Sequence, residues 1–324
     1  MNFKTWTWVC AVGLSILGWT VPANAQPYPN KPVKLVVGYA AGGAVDIIAR
    51  TVGQAMSGSM GQPVVVENKP GAGTNIAVKS VIAADPDGYT LMMAANALAA
   101  NMSLYQPQPF DAEKDVVAVS LVGRVPVVIA ANPAVPYGNV KQLIESAKGK
   151  PNSIAYGSPG NGSTPHMAIE LFARAAGIDL QHVPYRGGAQ ALTDVIGGQL
   201  PLVALNALEV QPHVKSGKLK VIGTSAKKRL ESMPDIPTFR EAGLNGLDFS
   251  PWEGILAPAK TPTAIVNRLN EETVKALRNP AIVEKLAKLG VDQMIMTPED
   301  MDAMVKAEVE AAGPLAKAAG IAAK

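Results

Sequence analysis

The chain has 324 residues, with 29 Lys and Arg against 26 Asp and Glu, 5% aromatic residues and one cysteine. A near-neutral balance with few aromatics and no basic stripe argues against nucleic-acid binding. Cys10 alone supports no disulfide and no thiolate metal site, and His166, His182 and His213 share no metal-ligand spacing.

Residues 1–25 read as an export signal. Lys4 precedes an apolar run over 9–21 that ends in Pro22 and the small-residue pattern Ala23-Asn24-Ala25, so cleavage is expected after Ala25. A membrane anchor would need a longer run, about 20 apolar residues. The signal also removes Trp6, Trp8 and Trp19, which leaves Trp252 as the single tryptophan of the mature chain. At about 100 to 200 residues per domain, the remainder is ample for two domains.

A buried strand at Leu35, Val36 and Val37 leads into a glycine turn at Gly42 and Gly43. A helix follows, with Val45, Ile48, Ala49, Val52 and Met56 at helical spacing. The first amides of such a helix lack internal partners and carry the positive end of its dipole, which makes the junction an anion pocket. Residues 63–67 form a second strand, 68–73 a turn, 75–84 a helix, 85–88 a turn and 89–94 a third buried strand. Strands and helices in alternation predict parallel sheets covered by helices.

Apolar runs over 116–128, broken by Gly123 and Pro126, predict a crossing between lobes. Helix 138–148 and strand 153–157 then lead to a second small-residue loop and helix 164–176. There Thr164 is a candidate cap, Pro165 holds the first helical position, and Met167, Leu171, Phe172 and Ala175 form the apolar stripe. Strand 181–183, helix 189–196 and strands 202–205 and 220–223 complete a second sheet, and a return crossing is expected at 249–255. The tail is helical, with Thr261-Pro262 and Thr297-Pro298 as starts. The expected fold is α/β with two lobes, each a mostly parallel sheet flanked by helices: residues 26–126 plus 251–324 in lobe 1, and 127–250 in lobe 2.

Enzymatic motifs are weak. Glu67 ends the second strand where an acidic ribose ligand would sit, but residues 38–43 lack the G-x-G-x-x-G spacing, and neither glycine loop has the G-x-x-x-x-G-K-[ST] pattern. Ser158 has Tyr156 two residues before it, so no nucleophile elbow forms. The glycine turn at 68–75 is read as structural.

The strings Y-P-N-K-P-V at 28–33, A-G-G-A-V-D at 41–46, V-V-V-E-N-K-P-G-A-G at 64–73, P-D-G-Y-T-L at 86–91 and Y-G-S-P-G-N-G-S at 156–163 are specific. So are H-V-P-Y-R-G at 182–187, A-L-T-D-V-I-G-G-Q at 191–199 and P-H-V-K-S-G-K at 212–218. Together they resemble the tripartite tricarboxylate transporter receptor family, the Bug proteins. The resemblance implies a periplasmic-binding-protein architecture with two crossings, closing as a monomer on a small organic carboxylate and delivering it to integral-membrane permease subunits. It implies no enzyme activity, no cofactor and no metal.

By the same resemblance, backbone amides and ordered waters from the two glycine loops hold the ligand. Two departures stand out: Ala40 replaces a usual proline, and Leu205-Asn206 replaces a common Asp-Asn pair, which opens the ligand's far end to a less charged or bulkier group. The expected site residues are Tyr39, Gly42, Gly43 and Asp46 from the first lobe and Ser158, Asn161, Ser163 and Thr164 from the second, with Asn96, Tyr185 and Asn206 added. Asp46 is expected either to meet a donor on the ligand side or only to cap its helix. No pocket Lys or Arg is evident, so orientation by neutral hydrogen bonds is expected. A periplasmic sensor that signals to a partner, and more remotely an exported hydrolase, remain as alternatives.

Overall fold

The computed structural model describes residues 28–247 and 250–321. The export signal and Trp6, Trp8 and Trp19 lie outside the described residues. In chain order the first lobe contains β1 (Val33–Val37), α1 (Ala44–Met60), β2 (Val64–Asn68), α2 (Asn75–Ile82), β3 (Thr90–Ala95), α3 (Ala97–Leu104) and β4 (Val116–Arg124). There follow β5 (Val127–Ala131), α4 (Val140–Ala147), β6 (Ala155–Ser158), α5 (Thr164–Ala176), β7 (Gln181–Pro184), α6 (Gly188–Ile196), β8 (Leu202–Asn206), α7 (Ala207–Lys215) and β9 (Lys220–Thr224). The chain then returns as β10 (Trp252–Pro258), α8 (Thr263–Leu277), α9 (Pro280–Lys288), β11 (Asp292–Gln293) and α10 (Pro298–Ala318).

Two sheets result, ordered β11-β4-β10-β3-β1-β2 and β7-β6-β8-β5-β9. Both are mixed. Strands β1, β2 and β3 pair in parallel, as do β7, β6 and β8, whereas β10 and β5 run antiparallel to their neighbours. The edge strand β11 is likewise antiparallel to β4, and the two reversed strands inside the sheets, β10 and β5, are those that begin just after the chain crosses between lobes. A chain arriving from the other lobe enters at the cleft and must run away from it, while β1, β3, β6 and β8 run toward it. The ligand-facing loops therefore follow the carboxyl ends of those four strands, where open α/β sheets place their sites.

Each sheet is buried on both faces, which explains its near-continuous apolar strands. Alternation divides the residues between faces: Leu35, Val37, Leu91 and Met93 pack with α1 and α8, while Val36, Met92 and Ala94 pack with α2, α3 and α10. In the second lobe Ile129, Ala131, Leu202 and Ala204 face α4 and α5, and Val128, Ala130, Val203 and Leu205 face α6 and α7. The two crossings brace each other, since the Val125 amide donates to the Pro251 carbonyl at 2.9 Å and Arg124 Nη1 to the Ser250 carbonyl at 2.9 Å.

One segment differs from the sequence reading, and one was not read at all. Residues 252–258, placed partly in the return crossing, form a wholly buried strand in the middle of the first sheet, so Trp252 is a core side chain of lobe 1 rather than a hinge residue. Residues 207–215 are helical despite Pro212, because a single missing amide in a short helix is outweighed by packing of Ala207 and Val210 on the second sheet.

Candidate functional site

Where the lobes meet, a narrow cavity is lined from both sides. Lobe 1 contributes Tyr39, the start of α1 at Gly43, Ala44 and Val45, Ala95 at the end of β3, and Glu253 at the start of β10. Lobe 2 contributes Pro159, the start of α5 at Ser163, Thr164 and Pro165, Gly188 at the start of α6, and Asn206 and Glu209 around the start of α7. Four helix N-termini thus converge on one space, each bringing the partial positive charge of its first turn. Among the described residues no Lys or Arg lines it.

Local sequence explains the convergence. Gly42 takes φ +85°, a left-handed turn that glycine adopts without strain, and it redirects the chain from β1 into α1. Ser163 caps α5 by accepting from the His166 amide, with Pro165 fitting the first turn. Gly188 admits a close neighbour, since a Cβ there would fall 1.9 Å from Glu209 Oε1. A direct backbone bond joins the lobes beside the cavity, from the Ala40 amide to the Arg186 carbonyl at 3.3 Å.

Glu209 and Glu253 dominate the electrostatics. They are 6% and 1% exposed, they come from opposite lobes, and Glu209 Oε1 and Glu253 Oε2 have no hydrogen-bond partner among the described residues. Burial pushes the Glu209 carboxyl up to about 7 against the pull of the Asn206 and Ala44 amides. Burial, and then the charge of Glu209, raises Glu253 well above the carboxylate range. The phenol of Tyr39 is raised by burial and by both acids. Asn206 and Glu209 face each other's backbone as a capping box, with the Asn206 amide donating to Glu209 Oε2 at 3.3 Å, yet Asn206 Oδ1 has no full partner.

Of the residues expected from sequence, Tyr39, Gly43, Ser163, Thr164 and Asn206 line the cavity. Gly42 acts behind it, donating its amide to Asp46 Oδ2 at 2.9 Å. Asp46 turns away from the cavity because protein donors already satisfy it. Arg50 Nε reaches Oδ2 at 3.0 Å, Arg50 Nη2 reaches Oδ1 at 2.9 Å and Asn68 Nδ2 reaches Oδ1 at 2.8 Å. Burial is the largest influence on this carboxyl and raises it, but the bonds from Arg50, Gly42 and Asn68 together hold it below its ordinary value. The expectation that Asp46 meets a ligand donor is corrected accordingly.

Asn96 is spent on structure, accepting from the Trp252 amide at 2.8 Å and donating to Glu308 at 2.9 Å. Ser158 is fully buried, its hydroxyl 2.7 Å from His182 Nε2 and bonded to Gly160. Tyr185 donates to Asp194 and packs in the lobe 2 core. Asn161 lies at the lobe boundary, with its carbonyl 3.0 Å from the Cβ position of Gly73, but it does not line the cavity. His166, in the first turn of α5, is buried and stacks on His182 at 3.8 Å between ring centroids.

Removing the Asp46 carboxylate strands the Gly42 amide and Asn68. Asp46→Ala is therefore expected to cost about 1–3 kcal/mol in denaturant melts, with Arg50 discounted for its exposure. Because the native carboxyl is held below its ordinary 3.8, its stabilisation is present above that value and disappears as pH falls through the lower native one. An unchanged melt for Asp46→Ala would contradict the role.

Two α/β lobes joined by two crossings around a shared cavity define a two-lobed binding protein. The chain belongs to the tripartite tricarboxylate transporter receptor family, whose model matches residues 48–321. It is 32% identical over 312 residues to protein BugT of Bordetella pertussis strain Tohama I, covering 96% of each chain. Among solved structures it is similar to the periplasmic binding protein BugD, with 33% identity, a TM-score of 0.88 and coverage of 92% of this chain and 100% of that one. A protein of R. palustris solved with adipate gives 32% identity, a TM-score of 0.88 and the same coverage.

Proposed function

We propose that the chain is a periplasmic receptor that captures a small carboxylate-bearing solute between its lobes and delivers it to the membrane permease subunits of a tripartite tricarboxylate-type transporter. The observation that carries this reading is the convergence of four helix N-termini, from both lobes, on a cavity without a basic side chain. Such ends bind carboxylates through backbone amides and dipoles, with no buried salt bridge required. Adipate in the R. palustris relative supports a carboxylate as the ligand class.

In this reading residues 1–25 direct export and are cleaved after Ala25, and the lobes divide at 126/127 and 250/251, as the sheet memberships support. No helix of the described residues is long and apolar enough to cross a membrane. The protein acts as a binder rather than an enzyme: the Ser158–His182 pair lies off the cavity, with Ser158 sealed in the lobe 2 core.

A thermal-shift screen of mono-, di- and tricarboxylates, aromatic acids and amino acids tests the proposal. Binding to the native state alone adds about 2.7 kcal/mol at a ligand concentration about 100 times Kd. At least one carboxylate is expected to raise the melting temperature by several degrees. A screen in which amines or sugars stabilise and no carboxylate does would contradict it.

A further inference from the structure

We propose, building on the carboxylate-receptor reading, that the site selects solutes that carry a cationic nitrogen in addition to their carboxylate, and that Glu209 and Glu253 hold that nitrogen between the lobes. The geometry favours such a group. Each acid is more than nine-tenths buried, each lines the cavity, and each presents an oxygen without a partner, Oε1 of Glu209 and Oε2 of Glu253. They approach from opposite lobes, Glu209 on the first turn of α7 and Glu253 at the start of β10. Buried carboxyls in native proteins keep their proton, are paired or coordinate a metal, and an ammonium between these two would draw them into the paired form. No described Lys or Arg reaches the cavity, and among the described residues no cluster of His, Cys, Asp and Glu has metal-holding geometry.

The donors already present do not meet the need. The amides of Ala44 and Asn206 satisfy part of Glu209, and Tyr39 shares the field of both acids. An ammonium supplies up to three N–H donors and one positive charge, which fits two converging carboxyls left one oxygen short each. The solute's carboxylate then uses the helix ends at α1 from lobe 1 and at α5 and α6 from lobe 2, on the side of Gly43, Ser163, Thr164 and Gly188. One lobe's acid alone holds the nitrogen weakly, and the second arrives only as the lobes come together, so this contact couples recognition to closure.

The test titrates the mature protein by calorimetry with matched probes: propionate and β-alanine, butyrate and 4-aminobutyrate, succinate and aspartate, with butylamine as the acid-free member. In at least one pair the amino member is expected to bind ten times more tightly or better. Glu209→Gln and Glu253→Gln, which keep side-chain size, are expected to lower the affinity of that amino member at least tenfold and to reverse the ranking within the pair. Plain acids that bind as tightly as their amino partners in every pair would overturn the inference while leaving the carboxylate receptor intact. Binding of butylamine as tight as that of 4-aminobutyrate, with no plain acid bound, would instead remove the carboxylate reading and keep the cation site. Melting curves of both variants establish that they are folded.

Discussion

The ligand-free protein is expected to lose stability as pH rises from about 4.5 to about 7, and Glu209→Gln to abolish about 3 kcal/mol of that loss. A carboxyl whose native value is raised above its unfolded one keeps its proton longer in the folded state. Folding therefore takes up protons through this window, and stability falls as pH climbs from the unfolded value toward the native one, then levels off. Glu253 is raised by burial and by Glu209, so it extends the decline upward. Asp46, Glu67, Asp111, Glu241 and Glu284 are shifted the other way and titrate below the window; Glu170, Asp302 and Glu308, raised by burial, add to the decline, and His213, lowered by burial and Lys218, opposes it. Urea melts of the parent and of both glutamine variants at a series of pH values measure the effect. A parent whose stability is flat or rises between 4.5 and 7 would contradict the assigned environment of the two acids.

Gly43→Val is expected to abolish solute binding while leaving the fold intact. Gly43 precedes α1 at φ −82° and ψ 172°, a conformation open to any residue, so valine brings no backbone strain. A Cβ there stands 3.5 Å from Glu209 Oε1 and 3.9 Å from the Gly188 amide nitrogen, which is ordinary contact. The two further methyls of valine enter the cavity beside the α1 amides, where they exclude an anion. The expected loss is about a hundredfold or more in affinity, equivalent to about 2.8 kcal/mol. Titration with the carboxylate that stabilises the parent, together with a melting curve, reads both parts. Retained affinity would place the anion away from α1.

The extent to which the sequence revealed the site follows from the kind of signal each part leaves. The α1 and α5 ends were legible because Gly42-Gly43 and Ser163-Thr164-Pro165 carry turn, cap and first-turn chemistry in adjacent positions. Helix 189–196 was legible as a helix but not as a site end, and α7 was not legible. Gly187 offers no side-chain cap, and Pro212 inside α7 reads as a breaker until the packing of Val210 on the second sheet is seen. Glu209 was hidden in that segment.

Glu253 was hidden differently. Residues 249–255 look like a crossing when the chain is read in order, and only pairing with β3 and β4 on either side makes 252–258 a central strand with Glu253 at its cleft end. The role of Asp46 was half legible. Arg50 at i+4 is a local partner, but Asn68 arrives through the parallel pairing of β1 with β2, which sequence spacing does not encode.

The most direct measurement is a crystal structure of the mature protein with the carboxylate that gives the largest thermal shift. The ligand is expected between the lobes, its carboxylate within hydrogen-bond distance, directly or through one water, of amides at the starts of helices from both sheets. A carboxylate seated on one lobe only, or outside the space bounded by Tyr39, Gly43, Thr164 and Glu209, would contradict it.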